Sequence, residues 1–362
     1  MGVFKNAITI GLGILFISLP LNAYAQTTTK GRPNVIVIMT DDQGSLDLNS
    51  YGATDLYTPN MDRLDNYSHT FYWDGPNKHD LFRNMEEVYY DGEHFTDLMA
   101  EEVKQVINHR RNEPFFIYWA FNAPHYPYQG TTKWLDYYKN LPTPRKEYAA
   151  FVSNTDEKIG IVLDYLDEMG LAENTIVIFQ SDHGHSLEER AFWGGGNAGP
   201  YRGSKFSLFE GGIRVPAIIR YPGVVPANEV RDQLSMEMDW FSTIGELINS
   251  EVGDNIDGKS LMPIILDGKK ESRHEVVHWQ FGNYDDKTAQ WAVRKGSWKL
   301  IGNVNEPSGQ GAKKNLDKLF LVNLDKDIGE KNNLAKSNPK KKDELLQLHN
   351  SWIKSVRSEM KQ

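Results

Sequence analysis

The sequence predicts an α/β fold: a mostly parallel central sheet flanked by helices, then a small antiparallel sheet and a closing helix. Three observations predict it. Residues 34–39 (NVIVIM), 115–121 (FFIYWAF) and 175–180 (TIVIFQ) are unbroken apolar runs, rich in β-branched and aromatic residues, as in strands buried on both faces. The last two runs are separated by a long segment of helical period. Beyond about Pro263 the runs become shorter and turn-punctuated, the texture of an antiparallel sheet.

Taken in order, residues 1–25 read as a secretory signal peptide. Lys5 gives a basic start, Ile8 to Leu21 is mostly apolar, and Ala23-Tyr24-Ala25 places small residues where a signal peptidase cuts, before Gln26. The expectation is export to the periplasm or beyond, with no membrane attachment after cleavage. An α/β domain follows over residues 26–263. Its helix, 146–169, carries Tyr148, Phe151, Thr155, Ile159, Val162, Leu166 and Met169 on one stripe, and Gly170 stops it. Residues 217–221 form a fourth apolar run, and Asp239 is placed to cap a helix over 240–248. Residues 264–362 form the smaller unit. Strands are expected at 274–281, 289–293, 297–301 and 318–323, with a tight turn at Arg294-Lys295-Gly296. A last helix starts near Pro339, with Leu345, Leu348, Trp352 and Val356 on one stripe.

Composition narrows the chemistry. The formal charge of −9 argues against nucleic acid or an anionic membrane as partner, although a local cluster of cations can still receive a polyanion. There is no cysteine, which removes disulfides, thiolate metal sites and thiol nucleophiles together.

In open α/β sheets ligands bind beyond the carboxyl ends of the strands. Three successive strands here end in polar, ligand-type residues: Asp41-Asp42, Asn122-Ala123-Pro124-His125 and Ser181-Asp182-His183. Either aspartate alone is an ordinary turn former; three converging exits are not. The set is oxygen-rich and suits Ca²⁺ or Mg²⁺ better than zinc, while His183 keeps a transition metal open. Pro124 and Pro127 stiffen the loop carrying His125. A glycine-rich run, residues 193–205, ends in Arg202 and Lys205 without the order of a P-loop. It reads either as a mobile surface loop or as a device by which Lys205 neutralises an anionic oxygen at the metal. Trp73, Trp119, Trp134 and Trp193 offer sugar-stacking faces, Trp119 belonging rather to the core.

With these residues in place, the sequence resembles sulfatases of the alkaline-phosphatase superfamily, in particular exported bacterial polysaccharide sulfatases. The matching stretches are RPNVIVIMTDDQG, TPNMDRL, NAPHYP, QSDHGHSLEER, GPYRGSKFSLFEGGIRVPAI and LVNLDKDIGEKNNLA, in the family's order. The resemblance implies that Asp41, Asp42, Asp182 and His183 hold Ca²⁺, Mg²⁺ being the lesser choice, with His183 where many members have Asn. It implies that Lys205 binds a sulfate oxygen and that His125 contacts the sulfate or protonates the departing alcohol. His185 is placed to line the pocket, and the substrate implied is a sulfated polysaccharide or oligosaccharide, ulvan-like or another algal or host glycan.

One family part is missing. Sulfatases attack sulfur with a formylglycine made from Cys or Ser in a C/S-x-P/A-x-R motif shortly after the TPNMDRL segment. Here Leu64 runs straight into Asp65, and no Cys or Ser-x-Pro/Ala-x-Arg occurs anywhere in the chain. The α/β domain is therefore internally truncated after residue 64, and the formylglycine is not possible at its usual motif. Loss of that block is expected to expose apolar surface or force repacking, and to leave turnover feeble or nil. Two other functions compete: a non-catalytic binder of sulfated glycans, and a phosphoesterase of the same superfamily using Thr40 as nucleophile.

Overall fold

The computed structural model describes residues 31–57, 82–90, 93–282, 287–306 and 317–359. The expected signal peptide, the TPNMDRL segment, the Leu64–Asp65 junction and Trp73 lie outside the described residues.

In chain order the strands are β1 (Asn34–Thr40), the two-residue β2 (Phe82–Arg83) and β3 (Glu86–Glu87), β4 (Phe116–Ala120), β5 (Thr175–Ser181), β6 (Ala217–Arg220), β7 (Val276–Phe281), β8 (Gln290–Lys295), β9 (Trp298–Gly302) and β10 (Leu319–Asn323). The helices are α1 (Phe95–Arg110), α2 (Thr132–Tyr137), α3 (Arg145–Glu168), α4 (Glu210–Ile213), α5 (Asp239–Leu247), α6 (Met262–Leu266) and α7 (Pro339–Glu359). The first sheet runs β4-β1-β5-β6, with β1 parallel to both neighbours and β6 antiparallel at the edge. The second is an antiparallel meander, β10-β9-β8-β7.

The three apolar runs become parallel strands, and two of them, β1 and β5, bury both faces. All seven residues of β5 are buried. On one face Ile36, Ile38, Val177 and Phe179 pack with Phe151, Ile159, Val162 and Leu166 of α3 and with Val103 and Ile107 of α1. On the other, Val35, Ile176 and Ile178 meet Trp240, Ile244 and Leu247 of α5. This alternation is the two-residue period of a strand. Helix α3 ends where expected, with Gly170 at φ 67.

Several elements depart from the reading of the sequence. Helix α1 was not anticipated. Asp239 does not cap its own helix; its carboxylate accepts the N–H groups of Met236 and Lys259 at 2.8 Å each and lies 2.7 Å from Nε2 of His274. Over β4 the second face carries exposed aromatics: Phe116 is 62% and Tyr118 58% exposed.

Helix α7 closes the second sheet through paired rings. His349 stacks on Trp291 at 3.8 Å and Trp352 on His278 at 4.8 Å. Neither histidine's buried Nδ1 has a hydrogen-bond partner. Burial pushes both imidazoles down to about 4, His349 being lowered further by His278 and Arg357. The unfolded chain therefore takes up these protons first, so the neutral rings stabilise the fold above the unfolded pKa and that stability is lost as pH falls from about 6.5 towards about 4. Calorimetry is expected to show a melting temperature that declines between pH 7 and 4.5, with a shallower decline for His278→Phe/His349→Phe. An unchanged decline in the double variant would contradict this assignment.

Candidate functional site

The parallel register builds the site. Thr40 of β1 is level with Ser181 of β5, so Asp41 and Asp182 leave adjacent strands at the same height. The Asp182 N–H donates to the Thr40 carbonyl at 3.0 Å, and the Asp41 N–H to the Ala123 carbonyl at 3.3 Å. All three strand exits are thereby sewn together. Asp42 sits at φ 63, a left-handed turn that Asp tolerates better than most side chains, and its side chain is buried.

Six of the seven residues singled out from the sequence come together here. Nε2 of His183 is 2.9 Å from Asp182 Oδ2 and 3.8 Å from Asp41 Oδ1, and its Nδ1 is 3.4 Å from Asp42 Oδ1. Lys205 Nζ lies 2.8 Å from Asp42 Oδ1 and 3.9 Å from Asp41 Oδ1. On the far side, His125 Nε2 is 3.6 Å from Asp42 Oδ2, while its Nδ1 faces the Tyr126 carbonyl at 2.6 Å. Asp41, Asp182 and His183 form one group with metal-ligand spacing, and Asp41, Asp42 and His125 a second.

The electrostatics are those of a cage short of positive charge. Burial, then Asp42 and Asp182, push the Asp41 carboxyl up to about 8. Burial likewise raises Asp42, against the pull of Lys205 and His183. Burial would depress the His183 imidazole, but Asp182 and Asp42 outweigh it and hold it at about 9. Asp41 Oδ1 and Asp42 Oδ2 are buried without a hydrogen-bond partner, while Asp42 Oδ1 is met by Lys205. Buried unpaired carboxylate oxygens carry a large desolvation cost. A hard divalent cation among Asp41, Asp42, Asp182 and His183 would remove it, so these residues fit such an ion.

His185 lies elsewhere. Its ring is buried against Gly196, where a Cβ would come within 2.3 Å of the His185 Cβ, and its charged neighbours are Asp47 and Arg145. What it gives the cluster is its carbonyl, which accepts the Lys205 N–H at 2.9 Å. Trp134 is 6% exposed and packed in the core, so it offers no face to a sugar; Trp119 is core as expected, and Trp193 remains 44% exposed.

The glycine-rich run is anchored, by residues that reading the sequence missed. The fully buried Asp47 accepts the N–H groups of Gly44 at 3.0 Å and Asn197 at 2.8 Å, and the Tyr148 hydroxyl at 2.9 Å. Arg145 bridges Asp47, Asp55 and the Gly195 carbonyl at 2.7 to 2.9 Å. Glu237 was missed too. Trp240 donates to Gln180 of β5 at 2.7 Å, which brings the start of α5 to the strand ends. Burial raises the Glu237 carboxyl and Asp182 raises it further. No local pattern marks either partnership; both arise from packing.

Fold and site together define an α/β protein with an acidic cluster that could hold a cation at the carboxyl edge of its parallel strands, flanked by a lysine suited to an anionic ligand. The Sulfatase family model matches residues 65–250 of the 362, and the chain belongs to the sulfatase family. That match starts directly after Leu64. A second model, described as N-sulphoglucosamine sulphohydrolase, C-terminal, matches residues 202–358. Steryl-sulfatase of Rattus norvegicus is 34% identical over 227 residues, covering 60% of this chain and 38% of that protein, so the chain spans well under half of that relative's length. Among solved structures, Ps i-CgsB in complex with k-i-k-neocarrahexaose aligns with a TM-score of 0.72 at 21% identity, covering 89% of this chain and 93% of that one. A structure of a protein in complex with its substrate D-glucosamine-2-N,6-O-disulfate aligns at 0.63 and 20% identity, covering 91% and 99%. These two likenesses show the fold.

Proposed function

We propose that this protein binds the sulfate group of a sulfated polysaccharide or oligosaccharide over a Ca²⁺ held by Asp41, Asp42, Asp182 and His183. The observation that carries the reading is the pair of buried, unpartnered carboxylate oxygens, Asp41 Oδ1 and Asp42 Oδ2, with the Lys205 ammonium on Asp42 Oδ1 beside them. The bound cation would supply charge neutralisation for the sulfuryl oxygens. Lys205, 13% exposed at its side chain, faces a sulfate oxygen, and His125 stands on the opposite flank. Ca²⁺ is preferred to Mg²⁺ because side chains drawn from two strand ends suit the flexible oxygen coordination of Ca²⁺, whereas Mg²⁺ demands near-octahedral geometry. The disulfated sugar bound by one structural neighbour supports the substrate class, and an exported protein acting on an algal or host glycan, ulvan-like chains included, is the setting we propose.

Turnover is the second part of the reading. A family member without cysteine or the serine form of the motif lacks the nucleophile, so the binding half of the site outlasts the catalytic half. The exposed Phe116 and Tyr118 agree with a missing block of core. The phosphoesterase alternative loses ground, since Thr40 is fully buried.

Titration of D-glucosamine-2-N,6-O-disulfate in calcium buffer tests the binding half. Saturable binding is expected, with Lys205→Ala weaker by about 2 kcal/mol, the scale for truncating one member of a buried charge pair. Equal affinity for unsulfated glucosamine would overturn the reading.

A further inference from the structure

A cation on the second sheet reaches under the segment that carries Lys205. Lys299 of β9 is fully buried, its Nζ 2.8 Å from Glu210 Oε1 and 2.8 Å from Glu330 Oε1. Arg294 of β8 and Arg214 approach the other oxygen of Glu210 at 3.5 and 3.8 Å. Glu330 in turn accepts the Glu210 N–H at 2.6 Å, and its carbonyl accepts Arg202 Nη1 at 2.8 Å. Glu330 holds a left-handed backbone, φ 49, a conformation that non-glycine residues keep only when their surroundings impose it.

Glu210 opens α4, and α4 is packed against both halves of the cation site. Gly211 donates to the Arg202 carbonyl at 2.6 Å, closing the loop that presents Lys205. Gly184, next to His183, donates to the Gly212 carbonyl at 3.1 Å, and a Cβ at position 184 would lie 1.9 Å from the Gly211 oxygen. No slack separates α4 from the strand exits. Apolar contact already joins this region to the second sheet, through Leu208 and Phe209 with Ile301, Phe320 and Val322. A buried ion pair adds little net stability over such contact, but it adds direction.

We infer that Lys299 is a positioning residue: by gripping Glu210 and Glu330 it fixes α4, and through α4 it sets where the Lys205 ammonium stands relative to Asp41 and Asp42. This rests on the proposed reading of that cluster as a sulfate site.

Calorimetric titration of inorganic sulfate into calcium-saturated protein tests it, with the calcium affinity and melting temperature of each variant measured alongside. Lys299→Met is expected to weaken sulfate binding about tenfold or more, the scale of displacing a ligand-facing group by a fraction of an ångström, while calcium affinity stays within about threefold because the carboxylates directly follow β1 and β5 and are tied to the sheet by the Asp41 and Asp182 N–H groups. A purely structural Lys299 would lower the melting temperature and leave the folded protein's sulfate affinity unchanged; that result overturns the inference. Should Lys299→Met not fold, Glu330→Gln decides by the same split, since it keeps volume and removes one of the two gripping charges. If wild-type protein binds no sulfate, the reading of the site falls and this inference with it. If wild type binds and the variants bind equally, the inference alone falls.

Discussion

Asparagine at position 42 is expected to raise the melting temperature of the calcium-free protein and to abolish most of the further rise that calcium gives wild type. The two effects have opposite sign and one cause. Asp42 is 2% exposed, its Oδ2 lacks a hydrogen-bond partner, its Oδ1 is met by Lys205 at 2.8 Å, and it stands beside Asp41 and Asp182. Without a bound cation that carboxylate is a buried charge whose desolvation Lys205 and His183 offset only in part. The amide has the same shape, tolerates the φ of 63, and removes the charge, a gain of about 1–2 kcal/mol at neutral pH. With a cation the balance reverses. At calcium one hundred times its dissociation constant, wild type gains about 2.7 kcal/mol by mass action. Loss of one charged ligand lowers affinity by on the order of 100-fold and removes nearly all of that gain. Differential scanning calorimetry with EDTA and with calcium checks both signs. A variant less stable in both conditions would show that Asp42 serves the fold rather than an ion.

Against 4-nitrophenyl sulfate the protein is expected to turn over at a rate on the order of 10⁴-fold or more below that of a formylglycine enzyme, since deleting a covalent nucleophile costs this much or more even when the rest of a site persists. What persists here is electrostatic: the Asp41–Asp42–Asp182–His183 cage, Lys205 and His125. Residual hydrolysis, if measurable, should vanish with EDTA and fall in Lys205→Ala, because both alterations remove charge stabilisation and neither touches a nucleophile. A rate typical of enzymes would mean that another group or a water attacks sulfur efficiently, and the reading of the chain as a binder by loss would fail.

The parts of this protein that were legible in its sequence are those where local pattern and global burial agree. Residues 34–40 and 175–181 are buried on both faces, so their apolar runs had no second interpretation, and a parallel register necessarily brings Asp41 beside Asp182. Helix α3 shows a stripe because one face meets the sheet. Helix α1 was less legible because Met99, Val103 and Ile107 are interrupted by Glu101, Glu102 and Lys104, and it is packed through α3 and the sheet as well as through its own stripe. Asp239 looked like a cap because local chemistry allows it; two distant N–H groups and His274 claimed the carboxylate instead. His185 was drawn to the pocket by its proximity in sequence to Asp182, yet the chain turns at Gly184 and delivers its ring to Asp47 and Arg145. That tie, like the Glu210–Lys299–Glu330 grip, joins residues tens of positions apart in sequence, roughly 30 to 140, and single charged residues give no periodic signal across such distances.

The central claim is that separate strand ends deliver their carboxylates to one divalent ion. Isothermal titration of calcium into EDTA-treated, dialysed protein measures this most directly. The account expects one calcium per chain in wild type and affinity weaker by on the order of 100-fold in either Asp42→Asn or Asp182→Asn, whose altered residues are 140 positions apart. Undiminished calcium binding in both variants would contradict it.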